Sequence, residues 1–207
     1  QLKTIDKEIE ASLGKDKATL DPKHLGEAAD IVRAQPDTVM IYPFVLEDKL
    51  WLLLYSGKAA KKFEVKVNRN DLGNTVKQFR DLMKECETRA SCGAEDIAKI
   101  KPVSQKLYNW LIKPIEKELQ ENKVKNLVFA LDRVTRYIPM SALYDGKRYL
   151  IENYTVYNVL SAGLTDTTAK LPASIQDTKV LAMGVSNAVG GFSALSNVKT
   201  EVDNIVK

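Results

Sequence analysis

Two apolar runs in the first third of the chain are bounded by polar residues in a way that predicts β-strands. Residues 38–46 and 49–56 are rich in aromatic and β-branched side chains, and Glu47-Asp48 between them suits a two-residue hairpin connection. A third strand is predicted at residues 62–67. Pro43 has no backbone N–H to donate to a sheet, so the first strand is expected to lie at an edge or to be bulged there.

The hydrophobic pattern changes to a helical period from Asp71 onward. Apolar positions spaced three and four residues apart predict one buried helix face, made by Leu72, Val76, Phe79, Met83 and Cys86. A second helix is predicted to begin near Pro102, because proline is favoured in the first turn. Pro114 is expected to break that helix and to open another.

A short apolar segment at residues 126–131 follows these helices, and this alternation is typical of a parallel α/β sheet. Further strands are predicted at residues 154–161 and 179–185. Between those two strands, the polar stretch 162–178 is interpreted as a linker between domains. A last helix is predicted from about Asn197, with that residue as its N-cap.

Composition and charge narrow the class of protein. With 207 residues, of which 44% are apolar, the chain is long enough to bury a sizeable core. Its 31 Lys and Arg exceed its 27 Asp and Glu by little, and the excess is spread along the chain, so no direct nucleic-acid binding is expected. No window holds the roughly 18 apolar residues of a membrane span. Residues 1–34 are polar with a helical pattern and lack a signal-peptide core, which favours a cytoplasmic protein.

The candidate metal ligands and nucleophiles are few. The chain has two cysteines, Cys86 and Cys92, and a single histidine, His24. Two thiols and one distant imidazole do not make a four-ligand zinc site, so no metal and no cofactor are expected. A reducing compartment with free thiols is favoured over a disulfide.

The most specific pattern in the chain runs from residue 126 to residue 162. The first strand of this segment ends in Asp132, and its later motifs are Tyr137-Ile138-Pro139-Met140, Ala142-Leu143, Asp145-Gly146 and Tyr149-Leu150-Ile151-Glu152-Asn153-Tyr154. This order resembles the CHAT family of caspase-like cysteine peptidases. The resemblance covers residues 35–207. It departs from the family pattern at Arg133, where members often have a small residue, and at Ser161-Ala162-Gly163, which replaces a Pro-Ser pair.

The resemblance implies an α/β, caspase-like fold of three layers with a parallel sheet. It would contain a pseudo-caspase half and the first strand and helix of the active peptidase half. The expected domains are a helical entry segment at 1–34, a pseudo-caspase-like region at 35–162, a linker at 163–178, and the start of the peptidase domain at 179–207.

The resemblance also implies a catalytic Cys–His dyad, in which the imidazole activates a thiolate. In the family the His stands in a His-Gly context and the Cys in a Ser-Ala-Cys context. His24 precedes Leu25, so the dyad is expected beyond Lys207 and no catalytic residue is expected in this chain. Cys92 has small neighbours, as the family nucleophile does, but it follows a charged helix and not an apolar strand. A buried Cys86 would be a poor nucleophile.

The implied function is the N-terminal part of a CHAT-type cysteine endopeptidase, with this chain supplying scaffold and part of the substrate pocket. The expected partners are a downstream segment or second chain that carries the dyad, a protein substrate, and a tetratricopeptide-repeat region upstream. Ligands of open α/β sheets gather beyond the carboxyl ends of strands, so the loop after residue 185 is the expected pocket element. Its substrate-binding candidates are Gly184, Ser186, Asn187, Gly190 and Gly191.

Three other interpretations of the same residues stay open. The loop after residue 185 is equally consistent with a surface turn that uses glycine for flexibility. The whole chain is also consistent with a non-catalytic, caspase-like interaction or regulatory module. A nucleotide-binding domain is a third alternative, although Gly184, Gly190 and Gly191 match neither the dinucleotide-binding nor the P-loop spacing.

Overall fold

A computed structural model describes residues 19–20, 26–57, 59–87, 92–166, 174, 181–191 and 193–205 of the chain. It divides the chain into two units, Gln1–Thr167 and Thr168–Lys207, which are described separately below. Among the described residues, no helix is both long and apolar enough to cross a membrane.

The first unit is built on a mixed six-stranded sheet in the order β1-β4-β3-β2-β5-β6. The strands are β1 (Thr19–Leu20), β2 (Thr38–Val45), β3 (Leu50–Tyr55), β4 (Ala60–Val65), β5 (Asn126–Ala130) and β6 (Thr155–Val159). β5 lies between β2 and β6 and is parallel to both. The other three pairs, β1 with β4, β4 with β3 and β3 with β2, are antiparallel. The hairpin, the third strand and the strands predicted at residues 126–131 and 154–161 are confirmed. β1 lies in a segment for which a helical pattern was predicted.

The position of Pro43 differs from the sequence prediction. β2 is a central strand, with β3 on one side and β5 on the other. The parallel pairing with β5 ends at Ile41, which lies opposite Phe129, so the missing N–H of Pro43 falls beyond that ladder. Pro43 still pairs with Leu52 in the antiparallel ladder. A proline is tolerated here because one neighbouring strand has already ended.

Helices cover both faces of the sheet and give three layers. The helices of this unit are α1 (Gly26–Ala34), α2 (Arg69–Glu87), α3 (Ala94–Leu111), α4 (Glu116–Glu121) and α5 (Leu150–Asn153). One apolar cluster joins the sheet to α2, α3 and α4, and a second joins the other face to α1. Alternate residues of β5 divide between them, since Leu127 and Phe129 belong to the first cluster and Val128 and Ala130 to the second. The fold is therefore a three-layer α/β sandwich, as expected from the resemblance.

Three details of the helical layer differ from the sequence predictions. α3 begins at Ala94, eight residues before Pro102, because a hydrogen bond from the Gly93 N–H to the Asp96 carboxylate (3.1 Å) defines an earlier N-terminus. Met83 on the predicted buried face of α2 is 36% exposed. Ala162, at the start of the predicted linker, is buried against α1 in a short 3₁₀ turn. The break at Pro114 is confirmed, with a 3₁₀ turn followed by α4.

The expectation of free thiols is wrong in the structure. Cys86 near the end of α2 and Cys92 just before α3 form a disulfide, with Cα atoms 4.9 Å apart. α2 and α3 pack side by side, which brings the end of one helix to the start of the next within the distance that a disulfide requires.

The second unit contains the helix α6, which spans Val198–Ile205. Its start confirms the predicted helix, and the Glu201 N–H donates to the Asn197 carbonyl at 3.0 Å. Residues 181–186 form no strand, which corrects the strand predicted at 179–185; residues 179 and 180 lie outside the described residues. A strand needs a hydrogen-bonded neighbour, and the described residues of this unit provide no second strand.

Candidate functional site

The predicted pocket loop of the second unit is an exposed turn with a defined closure. The Leu195 N–H donates to the Ser186 carbonyl at 3.0 Å and ties the two ends of the loop together. Ser186 and Asn187 are exposed, so a hydroxyl and an amide are available there to a polar ligand.

The glycines of this loop have two different physical roles. Gly190 and Gly191 have φ angles of 59° and 85°, in the left-handed region, and a Cβ at either position would meet no other atom within 4 Å. Their requirement for glycine is therefore conformational. A Cβ at Gly184 would instead collide with Val198 and would lie 3.1 Å from Val202, both on α6. Gly184 therefore allows the chain before the loop to pack closely on the helix.

A second polar element lies at the carboxyl edge of the parallel strands in the first unit. After β5, Asp132 begins a 3₁₀ turn in which the Thr135 hydroxyl donates to the Asp132 carbonyl and accepts from its N–H at 3.0 Å. Arg133 has a φ of 48°, which is costly for a residue with a side chain. This conformation explains in physical terms why a small residue suits the position.

The family motif at residues 143–152 is a tight turn fixed by its own polar groups. The Asp145 carboxylate accepts from the N–H groups of Lys147 and Arg148, each at 2.6 Å, and the Leu150 N–H donates to the Leu143 carbonyl. Partial burial alone would raise the pKa of Asp145, but these backbone hydrogen bonds outweigh it and hold the pKa below the ordinary carboxyl value. The motif is thus a structural turn.

Helix α3 makes two buried polar contacts, one with the chain just before this turn and one with α4. The fully buried Ser104 hydroxyl donates to the Ala142 carbonyl at 2.7 Å. Tyr108, one helical turn further on, donates its hydroxyl to Glu116 at 2.8 Å. Burial, and then this hydrogen bond to a carboxylate, raises the pKa of Tyr108 far above the ordinary phenol value. Tyr154 has a raised pKa for the same first reason, burial, with a further contribution from the charge of Glu116.

An apolar cavity of about 350 Å³ lies between the facing ends of α2 and α3 and the family motif. The residues that line it include Met83, Cys86, Cys92, Ile97, Ala142, Tyr149 and Ile151. Since Ala142, Tyr149 and Ile151 come from the family motif, the same turn that fixes the fold also forms one wall of the cavity.

The residues with nucleophilic chemistry are not assembled into a catalytic pair in the described part of the chain. Cys86 is 9% exposed and bonded to Cys92, so neither sulfur is a thiolate in this form. His24 lies outside the described residues. The substrate-binding candidates Gly184, Ser186, Asn187, Gly190 and Gly191 all lie in the second unit, within one short segment that also contains the glycine turn.

Three layers around a mixed sheet, with polar turns at the carboxyl ends of the parallel strands, agree with a caspase-like α/β fold. The CHAT domain family matches residues 101–207, slightly more than half of the chain. The chain therefore belongs to the CHAT domain family, as its sequence motifs indicate. The comparison with curated proteins found no match.

One feature of the site region escaped sequence reasoning. Asp96 lies close to Cys86 and Cys92, so that one oxygen and two sulfurs lie within 4.8 Å of one another. Gly93 followed three residues later by Asp96, at the start of an amphipathic helix, is the sequence signal that would have indicated this helix N-terminus.

Proposed function

We propose that this chain is the N-terminal part of a CHAT-type cysteine endopeptidase, in which it supplies the scaffold and one side of the substrate pocket. The Cys–His dyad of such an enzyme would be carried by a downstream segment or by a second chain. The observation that carries the proposal is the family match over residues 101–207, because it includes the segment with the pocket-loop candidates.

The apolar surface of the second unit supports a partner segment. Leu181, Met183 and Val185 occupy alternate positions before the loop and are 82%, 83% and 65% exposed. Gly184, in the same segment, packs against α6. A strand of a parallel sheet is normally apolar and covered on both faces, so these exposed apolar side chains would become buried if the segment joined such a sheet. A neighbouring strand with its own covering helices, such as the rest of a peptidase half, would bury them.

The pocket loop supports substrate recognition by polar contacts. Ser186 and Asn187 are exposed directly after the segment 181–185, and the carboxyl end of a strand is where open α/β sheets bind ligands. If that segment becomes a strand next to its partner, the loop between Ser186 and Leu195 lies at this edge. The Asn187 amide would then hydrogen-bond the backbone of a bound peptide.

The test is a cleavage assay on the full-length protein that contains this chain, with a peptide library as substrate. We expect cleavage that is abolished by a thiol-alkylating reagent. Ser186→Ala and Asn187→Ala should raise KM more than they lower kcat, because they would remove binding contacts and no reacting group. Ser196→Ala, also exposed in the second unit, is the matched control and should leave both constants unchanged.

Two outcomes would contradict different parts of the proposal. Cleavage with unchanged constants in all three variants would show a peptidase whose pocket does not use this loop. No cleavage, and no labelling of the full-length protein by a peptidyl cysteine trap, would contradict the peptidase itself.

A second candidate function is a non-catalytic interaction module of the same fold. The observation that favours it is that the described residues bring no catalytic Cys–His pair together: Cys86 and Cys92 are bonded to each other, and His24 lies outside the described residues. A module of this kind would neither cleave a peptide nor react with the cysteine trap. The same assay therefore distinguishes the two functions.

A further inference from the structure

The cluster of Cys86, Cys92 and Asp96 stands apart from the pocket loop and plays no part in the proposed peptidase function. Cys86 lies in the last turn of α2, Cys92 immediately precedes α3, and Asp96 lies in the first turn of α3. Their ligand atoms, two sulfurs and a carboxylate oxygen, all lie within 4.8 Å of one another. Packing of α2 against α3 holds the three side chains together.

This ligand set has the chemistry and the spacing of a zinc site once the disulfide is reduced. Zinc binds thiolate sulfur at about 2.3 Å and carboxylate oxygen at about 2.0–2.2 Å, so ligands in a tetrahedron lie about 3.6–3.8 Å apart. Two sulfurs released from a covalent bond separate to a similar distance. Small side-chain movements would therefore bring all three ligands to one ion.

The carboxylate is already oriented by the helix that carries it. The Gly93 N–H donates to Oδ2 of Asp96 at 3.1 Å, in the manner of a helix-capping side chain. Metal-binding carboxylates are commonly held by such a second hydrogen bond, which fixes the direction of the ligand. The two cysteines are evident from the sequence, whereas the folded structure brings Asp96 next to them as a third ligand.

We propose that Cys86, Cys92 and Asp96 form a redox-controlled zinc site, closed as a disulfide in the oxidised protein and able to bind Zn²⁺ in the reduced protein. Water would occupy the fourth position of the tetrahedron. Two thiolates and one carboxylate are a borderline-soft set that suits Zn²⁺ better than Mg²⁺ or Ca²⁺, which prefer oxygen ligands throughout.

The interconversion balances with two named co-reactants. A dithiol reductant cleaves the Cys86–Cys92 bond, yielding two thiols and its own cyclic disulfide. Zn²⁺ then displaces the two thiol protons and binds both thiolates and the Asp96 carboxylate. Hydrogen peroxide reverses the process: two thiolates, one peroxide and two protons give the disulfide and two waters, and Zn²⁺ is released.

The test measures zinc bound by the full 207-residue chain before and after reduction. The protein is reduced with dithiothreitol, freed of reductant without oxygen, and titrated with Zn²⁺ against a chromophoric chelator. We expect one zinc per reduced chain, none on the oxidised chain, and stoichiometric release by hydrogen peroxide. Substitution with Co²⁺ should give a thiolate-to-metal charge-transfer band, which reports sulfur ligation directly.

Asp96→Asn is the decisive variant, because asparagine keeps a cap for the α3 N-terminus while removing the charged ligand. We expect it to weaken zinc binding by at least about tenfold. Glu95→Gln, the adjacent and exposed carboxylate of the same turn, is the matched control and should bind zinc as the parent does. Cys92→Ser removes a thiolate from an exposed position and should abolish the charge-transfer band.

Three results would overturn the proposal. The first is a reduced chain that takes up no zinc while its circular dichroism still shows the fold. The second is equal zinc affinity in Asp96→Asn and Glu95→Gln. The third is equal zinc uptake by the oxidised and reduced chains, which would show that the ion binds elsewhere.

Discussion

Gln105 of α3 lies directly against Gly146 of the family turn, so that a Cβ at Gly146 would be 2.7 Å from the Gln105 Nε2 atom. Gly146 also has a φ of 104°, a conformation that other residues rarely adopt. The glycine is therefore required by its own backbone conformation, while the Gln105 amide, at the end of a flexible side chain, adds a smaller steric contribution.

Gly146→Ala should destabilise the protein by at least about 1–2 kcal/mol, because it introduces both the strained backbone and the contact with Gln105. Urea denaturation measures the change. Gln105→Ala in the same background removes the contact only, so it should recover part of the loss. Full recovery would show that the backbone conformation costs little.

Gly73→Ala is predicted to act in the opposite direction. Gly73 lies inside α2, and a Cβ there would meet no other atom within 4 Å. Alanine in a helix interior is favoured over glycine by roughly 1 kcal/mol, so the variant should be more stable by about that amount. An unchanged denaturation midpoint would mean that α2 is already frayed at this turn.

Arg133 allows a test of strain at the edge of the sheet. Because its φ is 48°, replacement by glycine should give a more stable protein than replacement by alanine, by about 1 kcal/mol. Both variants lose the contact of the guanidinium with the Asp132 carboxylate (3.4 Å), so that loss cancels in the comparison. Equal stability of the two variants in thermal denaturation would rule out strain at this position.

The Tyr108–Glu116 contact predicts an alkaline loss of stability. The folded protein holds the phenol pKa above its ordinary value of about 10, whereas the unfolded chain releases the proton near that value. The resulting stabilisation is complete below pH 10 and declines as the pH rises towards the folded pKa. Tyr108→Phe should therefore lose less stability between neutral and strongly alkaline pH than the parent, as followed by urea denaturation at several pH values.

The lowered pKa of Asp145 predicts that the stability of the protein falls in acid. Its folded pKa is lowered, so its contribution to stability is present above the ordinary carboxyl pKa and is lost as the pH falls through the folded value. Asp145→Asn should be less stable than the parent at neutral pH, and the gap should close in acid. Asp81→Asn, which removes an exposed surface ion pair on α2, serves as the control and should change the stability at neutral pH little.

Local patterns predicted the strands of the first unit well where both faces of a strand are buried. The apolar runs of β2, β3 and β5 were sufficient, because such short, β-branched and aromatic runs favour a buried strand. The start of α3 was missed because the favourable placement of Pro102 near a helix start outweighed the weaker signal from Gly93 and Asp96. The strand at 179–185 was not found in residues 181–186, since a strand depends on a neighbour that local sequence cannot supply.

The candidate sites were less predictable than the fold. Nothing in the sequence distinguished Gly184, which is needed for packing, from Gly190 and Gly191, which are needed for turning. The proximity of Asp96 to the cysteines depends on how α2 and α3 pack, so it cannot be predicted from local sequence. The chemistry of each side chain is evident from the sequence, but which side chains lie close together in the folded protein is not.

The parallel pairing of β2 with β5 has a consequence for how the chain reaches its native state. Thr38 and Asn126 meet across 88 residues, whereas β2, β3 and β4 are joined by short turns. Closing the long loop costs chain entropy before any contact is gained, so the hairpin strands are expected to form first and β5 later. Destabilising substitutions in β5 should then mainly accelerate unfolding, and those in the hairpin should mainly slow refolding. Before β5 pairs with β2, one edge of β2 is unpaired and apolar. The longer this partly folded state lasts, the more the chain is expected to aggregate.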